Sequence, residues 1–256
     1  MKNAAVSMPS KEYGFSVPGV VAMMPPGLKT ALDVGCSAGG LGYYLKSELG
    51  YEEVVGIEYS ESSAHMARQV LDDVYVGDAG TIELPEKYFH HFDVIVYADV
   101  LEHLYDPWAV VSRFKKCLHP DGYILASIPN LKNLFIILNL VSGRFDYTDL
   151  GLLDRTHIRF FTSNTAVEMF TDAGFEMVAL ARSVRDGKWH ADLNAGNSIN
   201  PAIIQLYDEM FQKYRHGMDI GADLNRCFGL FSFSAEAAED LFTAQYYLLF
   251  RLRRNP

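Results

Sequence analysis

"LDVGCSAGGLG", residues 32–42, sets a glycine-rich turn directly after a short apolar run and directly before a helical pattern. A turn in that position lies beyond the carboxyl end of a strand, where open α/β sheets hold their ligands. Gly35 and Gly39 would let backbone approach a ligand closely, and Gly42 would let the following helix pack against its strand. Gly35, Ser37 and Gly40 nearly reproduce the spacing of a dinucleotide fingerprint, but its second glycine is missing. The turn alone therefore leaves two ligands open, one with a pyrophosphate and one without.

The acids around the turn weigh against the pyrophosphate. Asp33 places a carboxylate at the end of a buried strand, and an unpaired charge there is costly unless a partner meets it. S-adenosylmethionine has no phosphate and carries a sulfonium and an ammonium cation, so it suits an acidic surround. Glu58 ends the second strand in "VVGIEY", where an acid can accept from both ribose hydroxyls. Asp78 follows the third strand in "VGDAGTIELP", placed to meet the amino group of an adenine. A nicotinamide-dependent oxidoreductase would share the sheet and Glu58, and is disfavoured by Asp33 and the incomplete fingerprint.

The rest of the chain supports one α/β unit. "TALDVGC", "VVGIEY", "FDVIVYA" and "GYILASIP" lack polar alternation, as strands covered on both faces of a parallel sheet do. Helical patterns separate them. Leu41, Tyr44, Leu45 and Leu49 recur at helical spacing before Gly50, and Asp106 with Pro107 opens another helix. Two segments exceed a minimal doubly wound unit: residues 130–162, with an apolar helix and "DYTDLGLLDRTHIRFF", and residues 186–243. In the second, Asn200 and Pro201 start a helix whose stripe is Ile203, Leu206, Tyr207, Met210, Phe211 and Tyr214, and Gly217 ends it.

Composition bounds the partners. The 256 residues carry a net charge of -10, which argues against a general nucleic-acid surface. Cys36, Cys117 and Cys227 are scattered and odd in number, the pattern of reduced thiols. With no leader-like start and no apolar run long enough to span a bilayer, the expectation is a soluble cytoplasmic protein that binds no membrane.

"LDVGCSAGGLG", "VVGIEYS", "VGDAGTIELP", "FDVIVYADVLEHLYDP" and "LHPDGYILASIPN" together resemble class I S-adenosylmethionine-dependent methyltransferases, in order and spacing, over about residues 29–183. "DVLEH" with the later "RTHIRFFT" resembles the members of sugar and natural-product pathways and is also similar to ubiquinone O-methyltransferases. The resemblance implies a doubly wound, Rossmann-like, seven-stranded sheet with an antiparallel last strand. Residues 1–256 would then be a single domain, with 130–162 and 186–243 as acceptor-site or lid insertions. It also implies that Asp33, Gly35 and Gly39 surround the methionine moiety of S-adenosylmethionine, with Ser37 in the same turn where the family usually has glycine. Glu58 would hold the ribose, Asp78 the adenine, Tyr59 and Ala79 the adenine ring or its edge, and Ala98 would lie near the sulfonium.

Methyl transfer asks mainly for alignment, plus a base when the acceptor is a hydroxyl. His103 in "ADVLEHL", with Glu102 beside it to orient or charge it, is one candidate. His157 is the other: an extended reading of "DRTHIRFF" puts Arg155, His157 and Arg159 on one face, a clamp for an anionic acceptor around a base. Asp99 and Asp154 are acids at the same mouth that could join His103 or His157 around a divalent metal, but no helix-borne histidine pair or cysteine pair supports one. Tyr13, Phe15, Tyr147 and Trp189 could close over an acceptor, although such residues more often serve packing. The expected activity is O-methylation of a small polar acceptor such as a sugar or sugar nucleotide. Phenols or quinols, an amino sugar, and a noncatalytic cofactor-binding subunit are the alternatives, and helical insertions at the mouth are compatible with a homodimer.

Overall fold

The computed structural model describes residues 18–193, 200–221, 223–224 and 235–253, so Tyr13, Phe15 and Cys227 lie outside the described residues. Five strands run parallel: β1 (Thr30–Val34), β2 (Glu53–Glu58), β3 (Asp73–Val76), β4 (Phe92–Ala98) and β5 (Leu118–Pro129). The sheet is completed by β6 (Phe175–Val184) and β7 (Thr243–Leu252), in the order β3-β2-β1-β4-β5-β7-β6. β7 is antiparallel to both its neighbours, as expected. Every residue of β1 after Thr30, and the centres of β2 and β4, are buried, which is why these runs carry no polar alternation.

Helices cover both faces. α1 (Pro18–Ala22), α2 (Gly40–Leu49) and α3 (Glu61–Ala67) accompany one face; α4 (Pro107–Phe114) and α6 (Ser163–Asp172) cover the other. The caps follow the sequence: Gly50 ends α2 in the left-handed region, and the Asp106 carboxylate accepts from the Ala109 amide with Pro107 behind it. One expected core position fails: Leu49, the last residue of α2, is exposed.

A separate apolar cluster joins α5 (Leu134–Val141), α8 (Pro201–Arg215) and the helix Ala235–Phe242. Ile203, Tyr207, Met210 and Phe211 of the α8 stripe meet Leu134, Phe135 and Leu138 of α5. Two buried asparagines tie this cluster to the sheet. The Asn130 and Asn133 amides both donate to the Thr243 carbonyl at the start of β7, and Asn130 also donates to that of Asp240. Short α7 (Gly187–Leu193) follows β6 and packs against α8. No helix among the described residues is long and apolar enough to cross a membrane.

Candidate active site

Strand order reverses between β1 and β4, and a cavity of about 550 Å³ opens beyond their carboxyl ends. Gly35, Glu58, Tyr59, Asp78 and Ala79 line it, and no lysine or arginine does. A cavity walled by three acids, Glu58, Asp78 and Asp99, and no lysine or arginine suits a ribose and a base without a phosphate. Glu58 is held from behind: its two oxygens accept from the Ser37 and Ser60 amides, each at 2.8 Å. Asp78 is held likewise by the Gly80 amide. Gly35 has φ +78°, and a Cβ there would stand 2.8 Å from Val100.

Asp33 is 2% exposed, and among the described residues neither a cation nor a hydrogen-bond donor meets its carboxylate. Burial, and then the charge of Glu58, push it up to about 7. A buried acid in this state is chemically suited to a cationic ligand group, which is the fit that a ligand with an ammonium provides.

Four expected residues do not line this cavity: Asp33, Ser37, Gly39 and Ala98. Gly39 has a different reason for being glycine. A Cβ on it would come within 2.7 Å of Val70 and 3.1 Å of the Ala67 backbone, so α2 and α3 require it. Ser37, with φ +50°, occupies the left-handed region that glycine accepts without cost, and its amide serves Glu58.

A second cavity, of about 450 Å³, lies between the sheet edge and the 130–162 segment, and it shares Asp99 and His103 with the first. Asp99 follows β4 with φ +53°, and its Oδ1 accepts from Ser127 at 2.8 Å and from the Gln245 amide. His103 ends a 3₁₀ turn, Leu101–His103, and its Nδ1 meets the Thr156 carbonyl and hydroxyl at 3.2 and 3.1 Å. A carbonyl can only accept, so Nδ1 carries the proton and Nε2 keeps a lone pair. The Thr156 hydroxyl in turn bonds the Asp154 carboxylate at 2.6 Å.

Glu102 departs from its expected place. It is 1% exposed and faces His157, with Oε1 3.9 Å from Nε2, rather than His103. Among the described residues its carboxylate has no hydrogen-bond partner, and burial holds its pKa well above the ordinary carboxylate range. Burial and the nearby His103 depress His157 below its ordinary value, so that imidazole is neutral near pH 7. The two imidazoles meet edge to face at 4.7 Å. Ligand atoms of Glu102, His103 and His157 lie within 4.8 Å of one another and could hold a divalent cation, a grouping that residue spacing did not show.

The expected arginine clamp does not form. Asp154, Arg155 and Thr156 make a turn, closed by the His157 amide on the Asp154 carbonyl at 2.9 Å, and the turn breaks the alternation on which the extended reading rested. His157 points inward, while Arg155 points outward to pair with Asp149. Arg159 donates to the Tyr105 carbonyl and lies over its ring. Neither arginine lines the cavity. Of the expected aromatics Trp189 lines it, whereas Tyr147 is exposed against Phe145. Ser127, Ser183, Arg185 and Gln245 were missed. Gln245 had a signal, a lone amide inside the apolar run "TAQYYLLF".

A family model described as a methyltransferase domain matches residues 20–180. A probable S-adenosylmethionine-dependent methyltransferase of Mycolicibacterium smegmatis is 32% identical over 69% of this chain and 64% of its own length. A ubiquinone biosynthesis O-methyltransferase of Idiomarina loihiensis is 30% identical over 59% of this chain and 63% of its own. The chain thus spans less than two thirds of the length of these relatives. Among solved structures, a SAM-dependent methyltransferase from Archaeoglobus fulgidus superposes with a TM-score of 0.56 at 18% identity, covering 94% of this chain and 96% of its own, a likeness of fold.

Proposed function

This chain belongs to the class I S-adenosylmethionine-dependent methyltransferases, and from that premise we propose that it methylates an oxygen of a small polar acceptor, such as a sugar or sugar nucleotide. The observation that carries the proposal is the junction of two cavities at Asp99 and His103. One has the acids for a nucleoside without phosphate; the other has room and titratable groups for an acceptor.

When bound, S-adenosylmethionine supplies an electrophilic methyl group. Asp33 and Gly35 would hold its amino-acid end, Glu58 its ribose, and Asp78, Tyr59 and Ala79 its adenine. Ser37 supports Glu58, Gly39 the turn, and Ala98 the strand end beneath the junction. His103 is the base: its Nε2 lone pair is free to take an acceptor proton, and the resulting cation is stabilised through Thr156 by Asp154. Asp99 positions the acceptor hydroxyl. Glu102 and His157 form the floor that keeps the His103 ring in place and water out.

A phenol or quinol acceptor is the second reading, supported by the ubiquinone biosynthesis O-methyltransferases among the relatives. The test is release of S-adenosylhomocysteine across nucleotide sugars, free sugars, phenols and quinols. Selective turnover of sugars supports the first reading, and turnover of phenols or quinols alone replaces it with the second. His103→Gln is expected to lower kcat by about 10²- to 10⁴-fold, far more than it weakens S-adenosylhomocysteine binding. An undiminished kcat would remove His103 from the base role.

A further inference from the structure

The acceptor cavity has two chemically different walls. One carries Asp99, Glu102, His103, Asp154 and His157; the other, from the end of β6, α7 and β7, carries Ser183, Arg185, Trp189 and Gln245. Arg185 is the one arginine or lysine among its lining residues. We propose that Arg185, backed by Trp189, reads an anionic group, a carboxylate or a phosphate, on a ring-bearing acceptor, so that the protein selects acids over their neutral counterparts. The inference rests on the acceptor-site reading of this cavity and narrows its substrate class.

Three observations carry it. First, among the described residues no carboxylate pairs with the Arg185 guanidinium, which lies over the Trp189 ring, 5.6 Å from Cζ. The neighbouring acid, Asp186, turns its Oδ1 to the Trp189 amide, which donates to it at 2.9 Å. Second, the Arg185 backbone is anchored at both polar groups. Its amide donates to the Phe242 carbonyl at 3.1 Å, and its carbonyl accepts from the Tyr207 hydroxyl at 2.8 Å. The side chain is therefore presented from a fixed point, as a forked donor for a planar or tetrahedral oxyanion must be.

Third, the other arginines once expected for this work are committed elsewhere, Arg155 to Asp149 and Arg159 to the Tyr105 carbonyl. Without Arg185 an anion entering the cavity would meet the carboxylates of Asp99 and Asp154 and no fixed cation. The indole adds a flat apolar surface for a ring, beside the guanidinium that would take the ring's charged substituent.

The chain has two tryptophans, so Trp108→Phe leaves Trp189 as the single indole reporter; Trp108 lies on α4 and does not line the cavity. In that background, protocatechuate against its methyl ester, and uridine diphosphate glucose against glucose, are titrated by tryptophan emission and by calorimetry, with and without S-adenosylhomocysteine. The expected result is that at least one acid binds about tenfold or more tighter than its neutral partner, a preference reduced to within about twofold in Arg185→Gln and kept in Arg155→Gln. Equal binding of acid and neutral partner, binding of none of the four, or a preference that survives Arg185→Gln would overturn the proposal. S-adenosylhomocysteine binding is measured separately, so a failure of the cofactor reading is told apart from a failure of the anion reading.

Discussion

Asp33 carries the most direct consequence at the scale of one residue. Its pKa of about 7 in the folded chain means that much of it is protonated at neutral pH, and a cation docking beside it favours the ionised form. Binding of S-adenosylhomocysteine, whose amino-acid end carries an ammonium group, is therefore expected to release a fraction of a proton near pH 7. Calorimetry in buffers of different ionisation enthalpy measures that fraction, and Asp33→Asn should abolish it; undiminished release in the variant would place the titrating group elsewhere. Ser37 makes a smaller claim. Its left-handed backbone costs about 1–2 kcal/mol for a residue with a Cβ. Glycine relieves that cost and adds roughly 0.5–1 kcal/mol of unfolded-chain entropy. Ser37→Gly should thus stabilise the fold by up to about 1 kcal/mol in urea unfolding, and a clear destabilisation would show that the serine side chain contributes something the backbone does not reveal.

Elements show where local reading succeeds and where it stops. Gly42 was read as a packing glycine, and a Cβ there would come within 2.2 Å of Leu71 and 2.9 Å of Val54, which places the contact on β2 and the chain after α3 rather than on β1. Gly42→Ala is expected to cost about 1–3 kcal/mol by overpacking, read as a lower urea midpoint with an unchanged slope. The α8 stripe was legible in full because helical spacing is a property of the segment itself. "DRTHIRFF" was not legible, because two-residue alternation holds only in an extended chain and a turn at residues 154–156 interrupts it. One turn there sends Arg155 to solvent and His157 to the interior, and the arginine that lines the cavity is instead Arg185, from a segment well downstream.

Across the whole molecule, two buried groups give stability opposite slopes in pH. His190, 1% exposed and stacked on Phe135 at 4.5 Å, has its pKa lowered by burial from 6.5 to about 3. The unfolded chain then binds the extra proton first, so this residue's effect is to remove stability as pH falls from about 6.5 toward 3. Asp33 works the other way. Its raised folded pKa makes the folded state the better proton binder, so stability is lost as pH rises from about 3.8 to about 7. His190→Phe should therefore lose less stability than the parent between about pH 6.5 and pH 4 in denaturant titrations, and parallel curves for the two proteins would refute the assignment. What the chain determined by itself was the alternation of buried strands and capped helices, and the acids that follow successive strand ends. Those features depend on neighbours within a few residues, and the parallel sheet then carries them to one edge. Only the tertiary structure decided the acceptor side. Asp99, Ser127, Gln245, His103, His157 and Arg185 come together from segments far apart in sequence, joined by the crossing of β7 between β5 and β6 and by the docking of 130–162 on the domain. No local pattern records such a meeting, because burial and partner are properties of the assembled chain.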